Sequence, residues 1–136
     1  MSDGGSPRSI AVVDDSADDV EILTRCFLRS ELAGAFEIRP FQTGSDLLDH
    51  MRLVASGIEP APAVVLLDIN MPEMDGFEIL RSLRSDPAFE TTPTVVFMSN
   101  TDRLEDRERA VALGSNVVPK FGTIGEGVEF FDNLVG

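Results

Sequence analysis

The sequence predicts an α/β domain built on a doubly wound, five-stranded parallel sheet with helices on both faces. Three observations predict it. Short apolar runs alternate with stretches of helical spacing along the chain, the most apolar runs are continuous and rich in β-branched residues, and the runs end on polar residues of a restricted kind. At 136 residues the chain is long enough for one hydrophobic core and short for two.

The elements follow in order. Ile10–Val13 is a continuous apolar run that stops at Asp14 and Asp15; Val20, Leu23 and Phe27 then recur at i, i+3 and i+7, as on one face of a helix. Phe36–Phe41 is the second run, and Leu47, Leu48, Met51 and Val54 mark a helix after Thr43. The third run, Val64–Leu67, stops at Asp68 and precedes a helix marked by Phe77 and Leu80. Thr94–Met98 stops at Ser99, and Leu104, Val111 and Leu113 mark a helix after Asp102, where Asp102 and Glu105 read as a variant capping box. Asn116–Val118 leads into Lys120, and Ile124, Val128 and Phe131 mark the last helix. Loops are expected at Gly34, Gly57–Pro62, Asp86–Pro87 and Gly122–Gly127. Runs such as Ile10–Val13, Val64–Leu67 and Thr94–Met98 suit strands covered on both faces, so right-handed crossovers and a parallel sheet follow.

Charge narrows the function. The chain carries 24 acids against 11 bases, a formal charge of −13, which argues against direct binding of nucleic acid or of an anionic membrane surface. Cys26 is the single cysteine, so no intramolecular disulfide forms; its apolar helical setting predicts a buried, inert thiol. Residues 1–7 read as a flexible N-terminus and 8–136 as one domain with no output domain. No apolar run approaches the roughly 20 residues of a membrane span, so a cytoplasmic protein is expected.

The polar residues that end the runs carry the chemistry. In open parallel sheets ligands bind beyond the carboxyl ends of the strands, at the point where strand order reverses. Asp14, Asp15, Asp68, Ser99 and Lys120 would all be delivered to that edge. Converging carboxylates repel, and a hard dication such as Mg²⁺ relieves the repulsion. A dication, a lysine and a hydroxyl together suit a phosphoryl group, and a carboxylate can itself form an aspartyl phosphate. Singly, each residue also has a structural reading as cap, turn or surface charge; jointly they point to phosphoryl handling at an aspartate.

Together these residues resemble the receiver domain of two-component response regulators, from about Arg8 to Val135. The resemblance rests on Val12-Val13-Asp14-Asp15-Ser16, on Leu66-Leu67-Asp68-Ile69-Asn70-Met71-Pro72-Glu73-Met74-Asp75-Gly76-Phe77-Glu78, on Val95-Val96-Phe97-Met98-Ser99, on Ala112-Leu113-Gly114-Ser115 and on Val118-Pro119-Lys120. It implies a flavodoxin-like strand order, 2-1-3-4-5. It also implies that Asp68 accepts phosphate from a sensor histidine kinase, and that Mg²⁺ is bound by Asp15, Asp68 and the backbone carbonyl of Asn70, with Asp14 acting through a metal-bound water. Ser99 would be the switch hydroxyl, Lys120 the partner of the phosphoryl charge, and Pro72 and Gly76 would shape the loop after the acceptor. Such a domain is a signalling module rather than an enzyme, catalysing only its own phosphotransfer and dephosphorylation. It would act on a downstream protein target or pass phosphate to a histidine phosphotransferase, as a monomer or weak homodimer through Phe130 or Phe131. The long loops Ser56–Pro62 and Asp86–Pro93 resemble those of single-domain regulators paired with phytochrome-like kinases.

This chain departs from the family pattern in three places. Val117 stands where the family has an aromatic residue, and the segment Gly114–Lys120 is one residue short. Pro119 precedes the lysine and Phe121 follows it, where the family has proline after the lysine. Asn100, rather than a very small residue, follows Ser99. His50 reads as a solvated helix residue, and Asp18, Asp19 and Glu21 as first-turn acids favoured by the helix dipole. Two other readings compete. A phosphatase of the haloacid dehalogenase type would want a carboxylate where Asn70 stands, and an unphosphorylated scaffold would have no need of the acids.

Overall fold

The computed structural model describes residues 8–87, 94–98, 103–115 and 117–134, apart from the side chain of Thr94. The strands are β1 (Arg8–Val13), β2 (Phe36–Phe41), β3 (Val64–Leu67), β4 (Thr94–Met98) and β5 (Val117–Val118). The helices are α1 (Ala17–Leu28), α2 (Gly44–Ala55), α3 (Gly76–Ser85), α4 (Leu104–Ala112) and α5 (Ile124–Leu134), with a short 3-10 turn at Glu31–Gly34. All strand pairs are parallel and their order is β2-β1-β3-β4-β5, as the resemblance implies.

The side-chain period of two along a strand sorts the core into two layers. Ala11, Val13, Val65, Leu67, Val95 and Phe97 point to the face covered by α2, α3 and α4, against Leu47, Met51, Phe77, Leu80 and Ala110. Ile10, Val12, Leu66, Val96 and Met98 point to the other face, against Leu23, Cys26 and Phe27 of α1 and Phe131 of α5. Polar side chains fix where helices begin. Ser16 and Thr43 cap α1 and α2 by accepting from the N–H groups of Asp19 and Asp46. Asp75 and Glu78 form a reciprocal capping box at α3, a signal present in the sequence as Asp-x-x-Glu.

Helix α5 lies so close to α1 that a Cβ at Gly127 would overlap the Cys26 side chain. Phe27 and Phe131 meet edge to face beside this contact, with ring centroids 5.6 Å apart. Cys26 is fully buried, as expected, and burial pushes its thiol pKa up.

Several expectations need correction. His50 is buried rather than solvated, because it lies on the sheet-facing side of α2 with its ring 5.2 Å from that of Phe41. Burial, and then the charge of Arg39, hold its pKa below the ordinary value despite Glu59. Helix α4 forms where expected, but Leu104 and Val111 are 68% and 69% exposed, and Asp106 and Ala110 face inward instead. The cluster beneath α4 already holds the rings of Phe77 and Phe97, so the small Ala110 is what fits there. The cap residue of α4 is Arg103, without a side-chain cap, and Glu105 pairs with Arg103 at 2.8 Å; the expected capping box of Asp102 and Glu105 falls on Asp102, which lies outside the described residues. The glycine-rich stretch before α5 is not all loop. Gly125 and Gly127 are helical, with Thr123 accepting from the Glu126 N–H at 3.1 Å. Phe130 is half-buried beside Phe121 and Phe131, which weakens it as an exposed contact.

Gly76 is the tightest backbone approach that bears on the strand ends. A Cβ there would lie 2.5 Å from the carbonyl oxygen of Asp68 and 3.1 Å from the Phe97 ring. Backbone cannot yield as a flexible side chain can, so Gly76→Ala is expected to destabilise the fold by about 1–3 kcal/mol, read by denaturant unfolding. A variant as stable as the wild type would contradict this close approach.

Candidate functional site

Asp14 and Asp15 follow β1, Asp68 follows β3, and these strands are neighbours where the strand order reverses. Val13 stands opposite Leu67 in the register, so the next residues on each strand emerge side by side. The Asp68 N–H donates to the Val13 carbonyl at 3.0 Å and the Asp14 N–H to the Phe41 carbonyl at 3.1 Å. These bonds carry the ladder past the strand ends and fix both acid-bearing backbones.

One carboxylate oxygen from each of Asp14, Asp15 and Asp68 lies within 4.8 Å of the other two. Asp68 is buried, Asp14 half-buried and Asp15 exposed. Burial raises the pKa of Asp68 above the ordinary aspartate value, and the charges of Asp14 and Asp15 push the same way. The Lys120 ammonium and a hydrogen bond from the Asn70 backbone N–H oppose that rise without cancelling it. An all-oxygen donor set bearing mutually repelling carboxylates suits a hard dication, and a divalent cation would relieve the repulsion.

Lys120 reaches this edge from the segment after β5. Its Nζ lies 3.6 Å from Asp68 Oδ2, 3.2 Å from Asp14 Oδ2 and 2.6 Å from Asp19 Oδ2. Burial alone would lower its pKa; the hydrogen bond to Asp19 and the charges of Asp68 and Asp14 outweigh it and hold the ammonium well above its usual range. Asp19 is thus part of the site, a role that the first-turn reading missed. Its signal is a place three residues after the cap Ser16, in the first turn of the helix that follows the Asp14–Asp15 strand end.

The segment after Asp68 is bent tightly. Glu73 has a φ of 70°, in the left-handed region that non-glycine residues rarely adopt. The Gly76 N–H donates to the Ile69 carbonyl at 3.0 Å, and the Met74 N–H to the Pro72 carbonyl at 2.8 Å. Asn70 is exposed at the start of this bend. Asp14, Asp15, Asp68 and Lys120 are therefore brought together as expected, whereas Ser99 and Asn100 lie outside the described residues. Val117, in place of the family's aromatic residue, is buried in the α2–α4 layer.

A sheet with an acid cluster at its switch point and a lysine beside it defines a protein class that handles phosphoryl groups at a strand end. The family model of the response regulator receiver domain matches residues 10–120, and the chain belongs to that family. It is 31% identical over 104 residues to a probable methanogenesis regulatory protein of Methanothrix harundinacea, covering 76% of this chain and 65% of that protein. The chain thus spans less than two thirds of the length of that curated relative. Among solved structures it is similar to a response regulator in red light signaling of R. palustris, at 30% identity and a TM-score of 0.79, covering 93% of this chain and 90% of that one. A bacteriophytochrome response regulator, AtBRR, is 26% identical with a TM-score of 0.72, covering 91% of each chain. Among the described residues no helix is long and apolar enough to cross a membrane.

The raised pKa of Asp68 carries a sign. A carboxyl whose folded pKa lies above its unfolded value of about 3.9 destabilises the metal-free fold as pH rises through the folded value. Asp68→Asn is therefore expected to be more stable than the wild type in chelator, by on the order of 1 kcal/mol near neutral pH. The difference should shrink toward zero as pH falls to about 4, in denaturant melts across that range. A gap independent of pH would show that the charge of Asp68 is not its source.

Proposed function

We propose that Asp68 is the phosphoacceptor and that its donor is a sensor histidine kinase. The observation that carries the proposal is the Asp68 carboxylate itself, buried at the end of β3 with Asp14, Asp15 and Lys120 around it. A carboxylate oxygen of Asp68 attacks phosphorus as the P–N bond of a phosphohistidine breaks, and the electron pair of that bond returns to the imidazole nitrogen. The product is an aspartyl phosphate. Lys120 compensates charge on the phosphoryl oxygens, and Ser99 donates a hydrogen bond to one of them.

Asp14, Asp15, Asp68 and the backbone carbonyl of Asn70 would hold Mg²⁺, directly or through water. Bound there, the ion supplies positive charge and open coordination positions for phosphoryl oxygens. The strained bend at Glu73 and the close packing of Gly76 keep the Asp68 backbone fixed while its side chain changes charge.

The added charge would bias the neighbouring loops and alter protein contacts, or be passed on to a histidine phosphotransferase. Leu104 and Val111, exposed two turns apart on α4, support a contact face there, to a downstream target or in a weak homodimer. The likeness to two regulators named for red light and for bacteriophytochrome supports a phytochrome-like kinase as the donor.

Intact-mass spectrometry after incubation with acetyl phosphate tests the acceptor. One phosphoryl group should be added to the wild type with Mg²⁺, and none in chelator or in Asp68→Asn. Phosphorylation that persists in Asp68→Asn would move the acceptor elsewhere.

A further inference from the structure

Lys120 is shared among three carboxylates, and the proposed acceptor holds it at the longest distance of the three. Among the described residues its nearest carboxylate partner is Asp19, at 2.6 Å, while Asp14 lies at 3.2 Å and Asp68 at 3.6 Å. Asp19 sits in the first turn of α1 and is not one of the clustered acids Asp14, Asp15 and Asp68. Ser16 accepts from the backbone N–H of Asp19 at 3.3 Å, so the cap of α1 fixes where this carboxylate stands. A small cavity of about 50 Å³ lies beside the lysine, bounded by Asp14, Asp19, Met98 and Phe121.

We infer that Asp19 is a resting counter-ion for Lys120, a positioning residue that the ammonium must leave to meet a phosphoryl group on Asp68. The inference rests on the reading of Asp68 as the phosphoacceptor. The physical reason is competition for one cation. An incoming phosphoryl group brings negative oxygens to the Asp68 side of the ammonium, and every gain of Lys120 there is offset by loss of its shortest pair. The side chain of Asp19 is 38% exposed against 9% for Asp68, so the resting pair is well solvated and separates more readily than a buried one. Asp19 thereby keeps the lysine poised while weakening the site's hold on phosphoryl donors. Its neighbour Asp18 is exposed on α1 and has no place in this exchange.

The test is the steady-state dependence of phosphorylation on acetyl phosphate concentration, in Mg²⁺, for the wild type, Asp19→Asn, Asp19→Glu and Asp18→Asn. Freed from its resting partner, Lys120 should hold the donor better in Asp19→Asn. The KM for acetyl phosphate should fall about fivefold, the worth of one partly exposed ion pair, with the maximal rate changed far less. Asp19→Glu should return toward the wild type, and Asp18→Asn should match it. In metal-free protein, the Lys120 ammonium resonance should shift in Asp19→Asn and not in Asp18→Asn. An unchanged KM in Asp19→Asn, an equal fall in Asp18→Asn, or an unmoved ammonium resonance would overturn the inference while leaving the acceptor reading intact. A wild type that takes no phosphoryl group from acetyl phosphate or from candidate kinases would overturn both.

Discussion

The repulsion among carboxylates gathered at the ends of β1 and β3 is the constraint on which the site depends. A fold optimised for stability alone would not set three acids within 4.8 Å of one another with one of them buried. The ladder bonds that run on past both strands hold the backbones of Asp14 and Asp68 in place, so the strand ends themselves do not move apart to relieve the repulsion. Relief comes from positive charge. Lys120 supplies part of it within the chain, and a dication bound among the oxygens would supply more. Burial first, and then the charges of Asp14 and Asp15, keep the pKa of Asp68 raised against the pull of Lys120.

The surrounding architecture keeps this tension local. Two apolar layers on opposite faces of the sheet lock β1, β3 and β4, and the Ser16 N–H, at the cap of α1, donates to the Asp14 carboxylate at 2.9 Å. Gly76 lets α3 begin directly against the Asp68 carbonyl. Rigidity on the β3 side contrasts with the α4 side, where Arg103, Leu104 and Val111 are exposed and few large side chains are buried. A charge change at Asp68 would therefore be felt more readily at α4 than within the sheet.

Much of this was legible in the sequence because it is written in short-range pattern. Continuous β-branched runs marked the central strands, and the polar residue closing each run marked the edge to which it points. Less legible were features that depend on which way a helix faces. The apolar residues of α4 gave the helix but not its orientation, since the space beneath it was already filled by Phe77 and Phe97. His50 looked polar and solvated, yet the same rotation of α2 that buries Leu47 and Met51 carries it onto Phe41. Asp19 fell into the same gap. Its spacing suited a first-turn acid, and only the approach of Lys120, 101 residues later in the chain, makes it part of the site.

The most direct test of the central claim is calorimetric titration of the metal-free protein with Mn²⁺ or Mg²⁺. If converging carboxylates are what the dication relieves, one ion should bind per chain, binding should weaken at least about tenfold in Asp15→Asn and in Asp68→Asn, and it should be largely retained in Asp18→Asn. Binding unaffected by the loss of either acid, or absent at millimolar ion, would contradict a cation site built from these strand ends.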